Sequence, residues 1–178
     1  MKSILLISIF TIIARLPLAD HWNADASKAK IMFSVKGPFG TVHGNFSGLK
    51  ATIQFSEKDL TTSSFTASLE AKTVSTGISL RNSDLRNKEE WLNTDKYPMI
   101  SFKSKEVEKV AAGYKVLGDL TLKGTTKPIE IPFTFTATGS TGLFKGGFTI
   151  KREDYQLGKK GGSVGSIITI SIEVPVKK

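Results

Sequence analysis

The stretch Ile129-Glu130-Ile131-Pro132-Phe133-Thr134-Phe135-Thr136-Ala137 decides the fold. Ile129, Ile131, Phe133, Phe135 and Ala137 fall on one side of an extended chain, and Glu130, Pro132, Thr134 and Thr136 on the other. Successive side chains of a strand point to opposite faces, so this pattern describes a strand with one face in an apolar core and one in water. Strict alternation of this kind belongs to antiparallel sheet. The same period recurs in residues 64–72, with Phe65, Ala67, Leu69 and Ala71 on one face, and in residues 168–177, with Ile168, Ile170, Ile172, Val174 and Val176. Residues 144–150 and 116–122 add two more strands, and residues 31–36, 42–55 and 99–103 weaker ones.

Turn signals at Gly37-Pro38, Ala112-Gly113, Gly124-Thr125, Gly139-Ser140 and Gly161-Gly162 separate these runs. About eight long strands joined by short turns make a sandwich or a barrel. Pro132 and Pro175 have no N–H to give to a ladder, which predicts an edge, a bulge or incomplete closure near them. One segment, residues 79–97, is charged and rich in helix formers. Asn87 with Glu90 three residues on fits a capping box, predicting a short helix from Asn87 to Leu92. It reads equally as a lid over a barrel or as a connection that packs Trp91 and Leu92 on the outer wall.

The chain has 178 residues, no cysteine and a formal charge of +9. Its length suits one domain with a core large enough to need no disulfide. Lys2 precedes an almost wholly apolar run, residues 4–14, that stops at Arg15. That run is too short to span a bilayer comfortably, and Leu18-Ala19 before Asp20 resembles a cleavage region. We therefore expect a signal peptide at residues 1–19, a domain at residues 20–178, and a periplasmic or secreted location. Lys2 and Arg15 would leave with the signal, taking +9 to +7. The lysines are scattered, not gathered in one block, so no nucleic-acid partner is expected.

Little in the chain points to catalysis. His21 sits beside the cleavage region, where termini are usually mobile, and His43 begins a strand. Neither has a second His or a Cys spaced to share a metal. Gly161-Gly162-Ser163-Val164-Gly165 lacks the Lys-Ser/Thr ending of a phosphate loop and precedes a strand, so it reads as a flexible turn. Asp84, Glu89, Glu90 and Asp95 fit a helical surface. We expect no catalytic residue, no metal and no cofactor. What remains is apolar volume. Aromatics interleave with small residues such as Gly44, Ala67, Gly118, Ala137 and Gly146 on the inward faces, and such a barrel either fills with side chains or holds one ligand.

From Trp22 to Val176 the sequence resembles YceI-like proteins. Gly44-Asn45-Phe46 matches the family's Gly-x-Phe, and Tyr97-Pro98-Met99-Ile100-Ser101-Phe102-Lys103-Ser104 its Tyr-Pro-x-Ile-x-Phe-x-Ser. Gly118-Asp119-Leu120-Thr121-Leu122-Lys123-Gly124-Thr125-Thr126-Lys127-Pro128 and Arg152-Glu153-Asp154-Tyr155 follow in the family's order. The resemblance implies an all-β, eight-stranded antiparallel lipocalin-like barrel with a short helix between strands. It implies an exported protein that binds a polyisoprenoid or similar long-chain lipid in an elongated apolar tunnel. The lining implied is Phe33, Phe46, Phe65, Leu69, Phe102, Leu120, Phe133, Phe135, Phe148 and Ile170. Arg81, Asp84 and Arg86 stand as head-group contacts or as structural pairs. Asn82 and Asp84 depart from the family's Asp and His, and Gln156 stands where Gly is common. Transient contact with a membrane surface and a homodimer are further candidate partners. The competing reading is a filled barrel in the cell envelope with no specific lipid.

Overall fold

In the computed structural model, which describes residues 19–178, the alternating runs form ten antiparallel strands. The signal segment expected at residues 1–19 lies, apart from Ala19, outside the described residues. The strands are β1 (Asp20–Ala24), β2 (Lys30–Gly37), β3 (Gly40–Phe46), β4 (Lys50–Phe55), β5 (Ser64–Glu70), β6 (Met99–Val110), β7 (Gly113–Leu122), β8 (Thr125–Thr138), β9 (Thr141–Lys151) and β10 (Ile167–Lys177). Among the described residues one α-helix, α1 (Ser79–Asn87), lies between β5 and β6.

Ten strands make eight staves. β1 and β2 lie end to end along the same side of β10. β4 and β3 lie end to end against them. Each pair is one long strand with a break, at residues 25–29 and 47–49, and residues 42–55, expected as one strand, form the second of these. The ring then runs through β5, β6, β7, β8 and β9 to β10, which pairs back onto β1 and β2. The barrel is closed within Asp20–Lys177, so this segment carries its own core. The terminal segment around His21 is ordered in β1, opposite Gln54, where the sequence suggested mobility.

Incomplete closure is not observed, yet both prolines mark interruptions. The β8–β9 ladder runs from Phe133↔Gly146 to Thr138↔Thr141 and stops where Pro132 begins. Pro175 sits at the break between β2, whose pairing with β10 ends at Lys30↔Glu173, and β1, whose pairing includes Ala24↔Val176. A missing N–H is harmless at such a point.

The helix is displaced from its expected place. It covers Ser79–Asn87, so Asn87 ends it rather than starting it. The reason is a chain reversal. Leu92 N–H donates to Leu85 O at 2.9 Å and Thr94 N–H to Arg86 O at 2.7 Å. Residues 88–94 thus fold back to satisfy the carbonyls that end every helix, a tertiary solution that outweighs the local capping pattern. The residues expected in the 64–72 strand also end early, at Glu70, in a 3-10 turn over Ala71–Thr73.

Two packed clusters occupy the barrel, one above the other. The lower end holds the 56–63, 111–112 and 139–140 turns. There Phe55 is 1% exposed, with the rings of Phe65, Tyr114, Phe133, Phe135 and Phe144 around it at centroid distances of 5.1–6.0 Å. Most of these pairs are edge-to-face, the geometry the ring quadrupole favours, each contributing about 0.5–1.5 kcal/mol beyond area burial. Trp22, Val107, Val116 and Val176 complete this plug. The upper cluster of Val74, Leu92, Leu120, Leu122, Ile150, Tyr155 and Leu157 lies beneath α1 and the 152–166 connection.

Candidate functional site

Between the plug and the lid the inward faces do not meet. Phe33, Phe46, Phe102, Phe148, Ile168 and Ile170 sit on inward positions, yet each is only partly buried. They border an internal cavity of about 240 Å³, lined almost wholly by apolar side chains. Seven of the ten lining residues anticipated from sequence are brought together there: Phe33, Phe46, Leu69, Phe102, Leu120, Phe148 and Ile170. Phe65, Phe133 and Phe135 are placed elsewhere, in the aromatic plug. The inward glycines shape the wall. A Cβ at Gly44 would overlap the Phe33 ring, and one at Gly118 would lie 2.6 Å from Phe102 Cζ. Each ring therefore occupies the space above a glycine of the neighbouring strand.

The lid comes from two connections. Leu85 of α1, with Trp91 and Leu92 after it, lines the cavity from above, so the 79–97 segment is a cover and not an outer-wall packing piece. The second half is the 152–166 loop, and Arg152 builds it. This side chain is 1% exposed. Its Nε donates to Gly165 O (3.1 Å), Nη1 to Leu157 O (2.7 Å), and Nη2 to Lys159 O (3.1 Å) and Val164 O (2.9 Å). Glu153 Oε1 lies 3.2 Å from Nη2 and balances the charge. A buried guanidinium is tolerable only when its donors are satisfied in this way. The glycine-rich run that the sequence suggested was a flexible turn is thereby tied down. The lid halves also meet directly, through Gly158 N–H and Glu90 O. Beside them Tyr155, 2% exposed, has its phenol pushed up to about 12, mainly by burial.

A second, more polar recess of about 360 Å³ adjoins the first and shares Phe33, Val35, Leu85, Trp91 and Val164 with it. It lies between the β2–β3 turn, residues 37–41, and α1, and it forms the mouth. Arg81 and Asp84 line it. Asp84 is paired with Lys88 at 2.9 Å, one helical turn on. Arg81 has no ion-pair or hydrogen-bond partner among the described residues. Arg86 is not at the mouth: its Nη2 donates to Val74 O at 2.8 Å and fastens α1 to the barrel rim. Asn82 also works locally, accepting from Thr76 N–H and Oγ1, both at 2.8 Å. Sequence reasoning missed Arg152 and gave Trp91 no cavity role. Arg152 stood in the sequence only as the first residue of the Arg152-Glu153-Asp154-Tyr155 motif, with no role attached.

Among the described residues no group of three or more His, Cys, Asp or Glu converges, and no helix is long and apolar enough to cross a membrane.

The sequence model of the YceI-like domain matches residues 22–176, the whole ring of staves. The chain belongs to the YceI-like family. A UPF0312 protein of Yersinia enterocolitica is 32% identical over 142 residues, covering 76% of this chain and 73% of the relative. Among solved structures, Burkholderia cenocepacia BcnA superposes with a TM-score of 0.80 at 24% identity, over 86% of this chain and 99% of that one. A polyisoprenoid binding domain from Saccharophagus degradans, implicated in plant cell wall breakdown, superposes with a TM-score of 0.69 at 16% identity, over 90% and 99%. At these identities the structural likenesses establish a shared fold. Gln156 holds φ at +56°, in the left-handed region that favours glycine.

Proposed function

We propose that this YceI-like protein is a non-enzymatic carrier for one long apolar lipid of the polyisoprenoid type, held tail-first in the upper half of the barrel. The observation that carries the reading is the partly exposed inward wall, Phe33, Phe46, Phe102, Phe148 and Ile170, around an apolar cavity closed below by a packed plug. The fold shared with a polyisoprenoid binding domain supports the same ligand class. The filled-barrel alternative suits the lower half only.

The mechanism is passive. Each buried CH₂ contributes about 0.8 kcal/mol, before the cost of ordering the chain. A polar head would remain at the mouth, where Arg81, the cation among the residues lining the recess, is free to meet an anionic one; Asp84 and Arg86 serve the structure. A signal peptide at residues 1–19 and a periplasmic or secreted location belong to the same proposal, since the cargo is a membrane lipid.

The test is native mass spectrometry of protein purified from a membrane-containing lysate without detergent, followed by lipid extraction. A stoichiometric adduct that releases a polyprenyl-type lipid is the expected result. Protein that arrives empty and takes up no added polyprenyl lipid would overturn the proposal.

A further inference from the structure

Seven large apolar side chains are conspicuously exposed among the described residues: Met32, Phe39, Ile78, Leu80, Met99, Val110 and Ile167. Five of them, all but Met32 and Val110, lie at the mouth end of the barrel. Phe39 forms the tip of the β2–β3 turn and is fully exposed, and it also lines the mouth recess. Leu80, 74% exposed, lies in the first turn of α1 on the other side of that recess, next to Ile78. An apolar tip on either side of a cavity mouth is costly in water and needs an explanation.

The charges around these tips have one sign in excess. Residues 36–41, 78–85 and 158–166 frame the mouth and hold Lys36, Arg81, Lys159 and Lys160 against Asp84 alone, a net of 4 − 1 = +3. None of these four cations has an ion-pair partner among the described residues, whereas Asp84 is already paired with Lys88. Apolar tips set among unpaired cations form the pattern that inserts shallowly into an anionic bilayer surface.

We propose that the mouth end is a membrane-docking face, with Phe39 and Leu80 entering the headgroup boundary of an anionic bilayer and Lys36, Arg81, Lys159 and Lys160 holding the face against it. This deepens the carrier reading and rests on it for its purpose, because a docked mouth spares the lipid tail a passage through water. Docking itself is measured without cargo, so the two ideas fail separately.

The experiment is flotation of the lipid-free Asp20–Lys178 protein with vesicles of phosphatidylcholine alone and of phosphatidylcholine with phosphatidylglycerol. The protein floats with the anionic vesicles, less so at high salt. Phe39→Ser with Leu80→Ser lowers the partition coefficient about ten-fold or more. Lys159→Glu with Lys160→Glu lowers it by at least about five-fold per lysine. Val110→Ser, an exposed apolar position at the opposite end, leaves it unchanged, and all variants keep their melting temperature. A Phe39→Trp reporter shifts its emission to the blue on vesicle addition. The proposal is overturned if the protein does not partition, or if Val110→Ser weakens partition as much as the mouth variants do. It is also overturned if the Phe39/Leu80 change dissolves a dimer without altering partition, which would make the face a protein contact. Vesicle binding in a protein that takes up no lipid in solution would retain docking and remove the carrier function.

Discussion

Phe55 and Phe148 are the same side chain on the same inward face of one barrel, and truncating each to alanine should cost very different amounts. Phe55 is 1% exposed and enclosed by five aromatic rings. Phe55→Ala therefore loses the transfer energy of the ring and leaves a void that stiff neighbours cannot close, about 4–5 kcal/mol in all. Phe148 borders a space that is already empty. Phe148→Ala enlarges that space without creating a new one, so the cavity term largely falls away and about 2 kcal/mol of transfer energy remains. The difference of roughly 2–3 kcal/mol corresponds to about 4–12 °C in Tm for a domain of this size. Urea titration of lipid-stripped Asp20–Lys178 protein, with m-values compared, measures it directly. Equal losses at the two positions would refute the reasoning, because they would mean that the upper barrel is packed as tightly as the lower.

Three further outcomes follow from particular contacts. Arg152→Ala, which abandons four carbonyls, should cost about 2–4 kcal/mol and raise amide exchange selectively in residues 157–166, read by hydrogen-exchange mass spectrometry. Gln156→Gly should stabilise the fold by roughly 0.5–1 kcal/mol in the same urea titration, since it relieves a left-handed backbone position. Burial pushes the phenols of both Tyr114 and Tyr155 up to about 12, and Tyr114 also donates to Glu57 Oε1 at 2.7 Å. Between pH 10 and 12 the folded state holds protons that the unfolded chain has released, so stability is full below about pH 10 and falls as pH rises through that window. Melting curves of the Tyr114→Phe and Tyr155→Phe double variant should show a shallower alkaline decline, and an unchanged slope would refute the assignment.

The strand pattern was open to reading because a period of two needs only the residues themselves: Ile129 to Ala137 and Ile168 to Val176 declare their faces without any partner. Which part of the lumen is hollow was not. Phe33 and Phe133 look alike in sequence, and only their height along the barrel axis separates a cavity wall from a plug. The helix was misplaced because Asn87 and Glu90 satisfy a local capping rule, while the groups that end α1, Leu92 N–H and Thr94 N–H, arrive by a chain reversal that no window of neighbouring residues reveals. The role of Arg152, which was read only as part of a motif, was missed for a related reason. Its partners are carbonyls of residues 157–165, and a carbonyl leaves no trace in a side-chain alphabet. The break points at residues 25–29 and 47–49 were hidden too, since a jogged strand and two short ones spell the same letters.

The aromatic plug makes this barrel a blind tube. Whatever goes in must come out by the same opening, and in reverse order: the atoms that enter first leave last. If the carrier proposal holds, a cargo so held would always offer the same end to the outside and could be handed over without turning it round. Its release would then resemble drawing a sword from a scabbard, with a rate set by how much of the chain had gone to the bottom.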